Sequence, residues 1–397
     1  MNKKTHWIKT FSVFILSLFI SCGGQIREHK LILDKDKEFD NLSFNKIFEI
    51  DFPFILACFP CPNGILCIEI LDRSWSEFKF HLYDYSGKLK KEKLIKSGQG
   101  PNEMRALDYN TVWISSGKIH FIDVDNYYKI LDPESFEIKT VSKLSNVIKG
   151  YGSKYTFGNL GLTSLENEDE YIITSFESTA FYDDLTYYIL KSKTTFDDLS
   201  IITKAKKMKP WTWIELKERK SYTDYYETAR LDRIFSADWK REVIYYLPDI
   251  EKPEIKSVNF NGTEKENFII DVNYKKFDVD REKLKLFHEY VLGETDSRIR
   301  ENFNQILYIP PHAPALMGLK VIHNYLIIIT GNRNWDKGEN QSHVYRLPSL
   351  EYEGNFFIPF SNRLRIQWID GYYITKNLIN KKDEPRFSVV IYRIEEN

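Results

Sequence analysis

Short apolar-rich runs recur in groups of three, each group laid out alike, and this recurrence narrows the fold more than any other feature of the chain. The first group comprises residues 64–70, 78–83 and 88–95, with the turn Asp84-Tyr85-Ser86-Gly87 before its third member. The second comprises 118–122, 127–131 and 136–141, turning at Asp132-Pro133-Glu134-Ser135. A later group comprises 325–330, 343–347 and 351–358, turning at Pro348-Ser349, and weaker copies fall at 171–203, 243–260 and 366–394. Runs of this length, rich in Ile, Val, Tyr and Phe and bounded by Asp, Asn, Gly, Pro and Ser, are strands, whereas the three- and four-residue spacing of an amphipathic helix is scarce. Meanders repeated every 40 to 50 residues or so bury their faces by stacking on one another, which is the pattern of a β-propeller. The expected fold is therefore an all-β propeller over residues 41–397, with six blades and seven as the alternative. A ring must seal its last sheet to its first, because an open edge invites aggregation. The strand-like stretches at 44–50 and 387–394 are expected to share one blade for that reason.

Two insertions interrupt the repeats. Residues 281–306 space Leu284, Phe287, Val291, Ile299, Phe303 and Ile306 at near-helical intervals and predict one or two short helices. Residues 204–230 carry Lys204-Ala205-Lys206-Lys207, Trp211, Trp213 and three tyrosines, and read as a basic and aromatic loop.

The N-terminus gives an address. Lys3, Lys4 and Lys9 precede a ten-residue apolar run, 11–20, which is shorter than the roughly 20 residues of a bilayer-spanning helix. Residues 1–21 thus read as an export signal. Ser21-Cys22-Gly23 at its end resembles the lipobox of bacterial lipoproteins, with Phe19 where that pattern favours Leu. The resemblance implies acylation of Cys22, residues 22–40 as a tether, and an envelope location at the outer membrane, on its periplasmic or surface face. Acyl chains hold a protein on a membrane without a spanning segment.

Composition excludes several classes. Aromatic residues make up 15% of the chain and Gly and Pro number only 18 and 14, so a disordered or collagenous chain is ruled out. A net charge of −1 argues against a nucleic-acid partner.

After the first group comes Gly98-Gln99-Gly100-Pro101-Asn102-Glu103. It lacks the Lys-Ser/Thr ending of a phosphate loop, and the plain reading is a tight connection between blades. Together with Cys22 and the strand repeats, Gly98, Gly100, Pro101 and Glu103 resemble the turn that ends the first blade in six-bladed, NHL-like propeller lipoproteins of the Bacteroidetes, domains of unknown function. Asn102 stands where that family usually has Gly. The resemblance implies six blades and an envelope location, and no reaction.

Chemistry is thinly signposted. Cys58, Cys61 and Cys67 cluster around Pro62-Asn63-Gly64, a turn into a strand. Cys58-Phe59-Pro60-Cys61 has redox-dithiol spacing without the helix start that activates a thiolate. One structural disulfide with a buried thiol left over, or three buried thiols, are the open readings. No zinc-binding His arrangement and no Gly-x-Ser-x-Gly elbow is present, and no cofactor is expected. His312, His323 and His343 read as structural residues on strands or turns, and the acid pairs Asp123/Asp125, Asp183/Asp184 and Asp278/Asp280 as solvated turns. Trp75, Trp211, Trp213, Arg333 and Trp335 are the candidate contact residues, since Trp and Arg concentrate binding energy. The expected function is a monomeric, lipid-anchored, non-catalytic module that binds a protein or glycan. The alternative is an envelope hydrolase or lyase with carboxylates or a divalent metal at the propeller mouth.

Overall fold

The computed structural model describes residues 27–31, 37–52, 55–71, 76–98, 100, 103–105, 112–123, 125, 127–143, 161–164, 170–177, 186–193, 200–205, 213–214, 235–249, 252–270, 307–308, 316–334, 337, 339–359, 364–369, 371–381 and 384–397. These residues form 27 strands and no helix. In chain order they are β1 Arg27–Leu31, β2 Leu42–Phe52, β3 Ile55–Cys61, β4 Gly64–Ile70, β5 Glu77–Tyr83, β6 Leu89–Lys96, β7 Trp113–Ser115, β8 Lys118–Ile122, β9 Tyr127–Leu131 and β10 Ile138–Lys143. Next come β11 Gly161–Ser164, β12 Glu170–Glu177, β13 Thr186–Lys193, β14 Ser200–Ala205, β15 Trp213–Ile214, β16 Phe235–Asp238, β17 Val243–Tyr246, β18 Glu254–Asn259 and β19 Glu264–Ile270. The last are β20 Leu307–Tyr308, β21 Leu316–Ile322, β22 Tyr325–Asn334, β23 Glu339–Arg346, β24 Glu351–Pro359, β25 Leu364–Ile369, β26 Tyr372–Lys381 and β27 Glu384–Glu396.

The architecture is an all-β propeller. Five sheets have the four-stranded antiparallel blade form: β3 to β6, β7 to β10, β11 to β14, β21 to β24, and β25 to β27 completed by β2. This corrects the expectation of six or seven such blades. The remaining strands depart from that form: β16 to β19 take β1 as a fifth, parallel strand, and β15 pairs only with β20. The expected helical insertions are absent from the described residues, which contain no helix. Residues 281–306 lie outside them, and the other insertion contributes β15, an extended segment held by pairing.

Each sequence triplet supplies the outer three strands of a sheet, and a further strand precedes it: β3, β7 and β21. The first strands of neighbouring sheets touch, β7 with β11 and β16 with β21. The next strand out is covered on both faces. In β4, Ile65, Leu66, Cys67 and Ile68 are fully buried, whereas the outer strand β6 is exposed apart from Ile95. Its lysines discourage pairing with another chain at that edge. The ring closes as expected, with β2 antiparallel to β27, Phe44 opposite Ile394 and Ile50 opposite Val389.

Within each meander, the first-to-second and third-to-fourth connections lie at the same end. Arg241 in the β16–β17 turn donates to the Asn324 side-chain oxygen in the β21–β22 turn, and Pro62 packs on Gly117, so these ends share one face of the propeller. It is called the turn face below. The N-terminal segment runs along outer edges. β1 lies on β19, Phe39 N–H donates to Asn355 O, and Asn355 N–H donates to Lys37 O. Gly354, at φ +146°, leaves the space that the Glu38 backbone fills.

Candidate functional site

The two ends of the first sheet are built differently. At the end away from the turn face, β6 runs into the Gly-x-Gly-Pro motif. The Glu103 carboxylate accepts the Gly100 N–H at 2.8 Å, and a Cβ on Gly98 would overlap that carboxylate. Met104 beside it is fully buried. Lys129, itself fully buried, donates to Glu103 O at 2.6 Å and pairs with Asp123 at 2.9 Å. The Asp123 carboxylate also accepts the N–H groups of Asp125 and Tyr127. Asp123 is thus not the solvated turn expected of it. Its burial is offset by the ammonium and two backbone donors, as a buried carboxylate requires. Asp125 pairs with Arg105 at 3.1 Å. Gly98, Gly100 and Glu103 are brought together around the Glu103 carboxylate, while Gln99, Pro101 and Asn102 lie outside the described residues.

At the turn face, the same sheet borders a cavity of about 470 Å³ lined by Pro60, Cys61, Pro62, Tyr85, Ile114, Gly117, Tyr372 and Arg393. Three sheets contribute: β3 with its turn into β4 and the β5–β6 turn, the β7–β8 hairpin, and β26 with β27. The Tyr85 hydroxyl donates to Cys61 O at 2.6 Å and lies 3.5 Å from the Tyr372 hydroxyl. Burial, followed by the Tyr372 hydroxyl, pushes the Tyr85 phenol well above its ordinary value. It stays neutral and acts as a donor at physiological pH. The Arg393 guanidinium carbon lies 5.8 Å from the centroid of each tyrosine ring, within cation–π range of both. Among the described residues it pairs with Glu395, 3.9 Å away and half-exposed, a solvent-screened contact that a ligand carboxylate can replace. Prolines and Ile114 give the wall an apolar character, and Arg393 with the hydroxyls gives it polarity and direction.

Cys61 is the buried thiol left over, since Cys58 and Cys67 form a disulfide across β3 and β4 with Cα atoms 4.2 Å apart. Burial pushes the Cys61 thiol from an ordinary 9.0 to about 12, which makes it inert as a nucleophile near neutrality. No group of three or more His, Cys, Asp or Glu side chains suited to a metal occurs among the described residues. His343 lies on β23 and His323 in the β21–β22 turn, while His312 and the pairs Asp183/Asp184 and Asp278/Asp280 lie outside the described residues.

Trp213 lies on β15 opposite Tyr308, and Arg333 on β22 opposite Asn340. Trp75, Trp211, Trp335 and Cys22 fall outside the described residues. Tyr85, Tyr372 and Arg393 carry no local motif and are 287 residues apart at their extremes of hydroxyl contact, Tyr85 to Tyr372. Closing the ring through β2 and β27 is the one inference from sequence that brings them together.

No family model and no curated protein matches the chain. Among solved structures it is similar to BamB from Moraxella catarrhalis, at 8% identity and a TM-score of 0.31, covering 93% of this chain and 85% of that one. It is also similar to BBS1N in its complex with ARL6DN, at 10% identity and a TM-score of 0.33, covering 88% of this chain and 96% of that one.

Proposed function

We propose that the chain is a non-catalytic binding module, held on the bacterial envelope by acylation of Cys22, that receives a protein partner at the Tyr85–Tyr372–Arg393 cavity. One observation carries this reading: three sheets, from the two extremes of the chain, jointly frame an open cavity in which Arg393, the charged side chain among its described lining residues, lies within cation–π range of two tyrosine rings and pairs only loosely with the half-exposed Glu395. Tyr and Arg in such a setting are the residue types that anchor protein contacts, and a planar guanidinium donates two parallel bonds to a partner's carboxylate. The chemistry of the wall supports binding over turnover. The Cys61 thiol in the cavity wall is inert near neutrality, and the Tyr85 hydroxyl that touches its carbonyl is held neutral.

The test begins with the mature protein from native membranes. Intact-mass analysis is expected to show acyl chains on Cys22, and Cys22→Ser to release the protein into the soluble fraction. Captured partner is then compared for wild type and Tyr372→Ala, with free glycans as competitors. A Tyr372→Ala variant that captures as much as wild type contradicts the assignment of the cavity. Displacement by glycan alone makes the partner a saccharide instead.

A further inference from the structure

We infer that the turn face, which bears the cavity, is the face turned toward the membrane surface. The inference rests on the acylation proposed above and adds an orientation to it. β1 is parallel to β19, with Arg27 opposite Glu266 and Leu31 opposite Ile270. β19 starts from the β18–β19 turn at Asn261-Gly262-Thr263, where Gly262 N–H donates to Asn259 O, and it runs away from the turn face. A parallel partner must run the same way, so Arg27, the described residue nearest in sequence to Cys22, sits toward the turn face. Only residues 23–26 separate Cys22 from Arg27. Five residue steps at full extension reach roughly 17 Å, which leaves little room for the propeller to turn over on its anchor. The seven residues of β19 span roughly 20 Å, so the opposite face lies a further strand length away.

The N-terminal segment cannot readily lengthen this leash by peeling off. After β1 it is fixed again where Lys37 and Phe39 exchange backbone hydrogen bonds with Asn355, and where Phe39 packs in an edge-on contact with Tyr325 at 5.1 Å. It is then fixed along the whole of β2 by β27. The turn face accordingly looks toward the bilayer surface, and the protein partner that reaches the cavity approaches along the membrane.

Four single-cysteine additions test this in the acylated protein: Thr263→Cys and Lys88→Cys at turn-face ends, Lys252→Cys and Lys96→Cys at opposite ends. All four positions are exposed, while Cys58 and Cys67 are bonded and Cys61 is buried, so only the added thiol takes a fluorescent donor. The protein is placed in phosphatidylethanolamine–phosphatidylglycerol vesicles that carry a headgroup-linked acceptor lipid. Energy transfer from positions 263 and 88 is expected to exceed that from 252 and 96 by about twofold or more, given a separation of roughly 20 Å between the ends. Equal or reversed transfer within either pair, in protein whose mass shows the acyl chains, overturns the orientation alone. A mass without acyl chains on Cys22 overturns the anchor and the orientation together.

Discussion

The two ends of the first sheet use the same local material, a turn flanked by strands, to opposite effect. At the Gly98–Glu103 end the described charged groups are matched close by, Glu103 to Gly100 N–H, Asp123 to Lys129 and Asp125 to Arg105. At the Tyr85 end the side chains are drawn from three sheets and fill the space incompletely. The first arrangement is local and cheap to encode, and it reads in the sequence as a motif. The second depends on ring closure and reads as nothing in particular. A motif here marks a solved packing problem, while the surface suited to recognition is assembled from unremarkable residues.

The contrast is broken most severely at the closed end. Lys129→Met leaves the Asp123 carboxylate buried beside two backbone donors and no cation, and is expected to cost about 3–5 kcal/mol in urea unfolding. A cost below about 1 kcal/mol shows that water reaches the pair and that this end is not closed. Between the ends lies the disulfide. Replacing Cys58 and Cys67 together by Ser frees a loop with a sequence separation of 9 and is expected to cost about 2–3 kcal/mol by the same measurement.

At the open end, pH supplies the probe. The folded Cys61 thiol titrates at about 12 against an ordinary 9.0, so the protonated form is favoured by folding. Its contribution is full below pH 9, where both states hold the proton. As pH rises further, the unfolded chain loses its proton first, and stability falls toward the folded value of about 12. At pH 10 wild type should have lost about 1 kcal/mol relative to Cys61→Ala, each compared with its own value at pH 8. The subtraction removes the loss shared through Tyr83, Tyr245, Tyr246 and Tyr392, whose phenols burial also raises. Parallel pH profiles for the two proteins would place solvent at the thiol.

A smaller effect belongs to the motif. Glu103→Ala and Gly98→Ala are each expected to cost about 1 kcal/mol, because either change removes the carboxylate from Gly100 N–H. The double variant should cost little more than one of them, and full additivity would mean that the glycine and the carboxylate act separately.

Much of this architecture was legible beforehand. The triplets at 64–95, 118–141 and 325–358 became β4 to β6, β8 to β10 and β22 to β24, and strand alternation located them because one or both faces are buried. The first strand of each sheet escaped notice for identifiable reasons. β3 contains Pro60 and ends in the cysteine turn, and β7 is three residues long, so neither carries a strand-like period. The extent of the N-terminal pairing was hidden as well. Arg27–Leu31 has the polar composition of a tether, and only the vacant edge of β19 makes it a strand. Asp123 looked solvated because sequence shows its neighbours Val124 and Asp125 but not Lys129 folding back to meet it. The cavity was illegible for the same reason on a larger scale, since Tyr85 stood within a recognised turn and gained meaning only beside Tyr372 and Arg393.

Arg393 provides the most direct test of the central claim that the open end is the recognition surface. Arg393→Ala removes a half-exposed side chain and should change stability by no more than about 0.5 kcal/mol. Partner captured from native membranes should nevertheless fall about tenfold or more, the equivalent of about 1.4 kcal/mol. Lys96→Ala, at the closed end of the same sheet, should capture as wild type does. Undiminished capture by Arg393→Ala, or an equal loss with Lys96→Ala, would contradict the account.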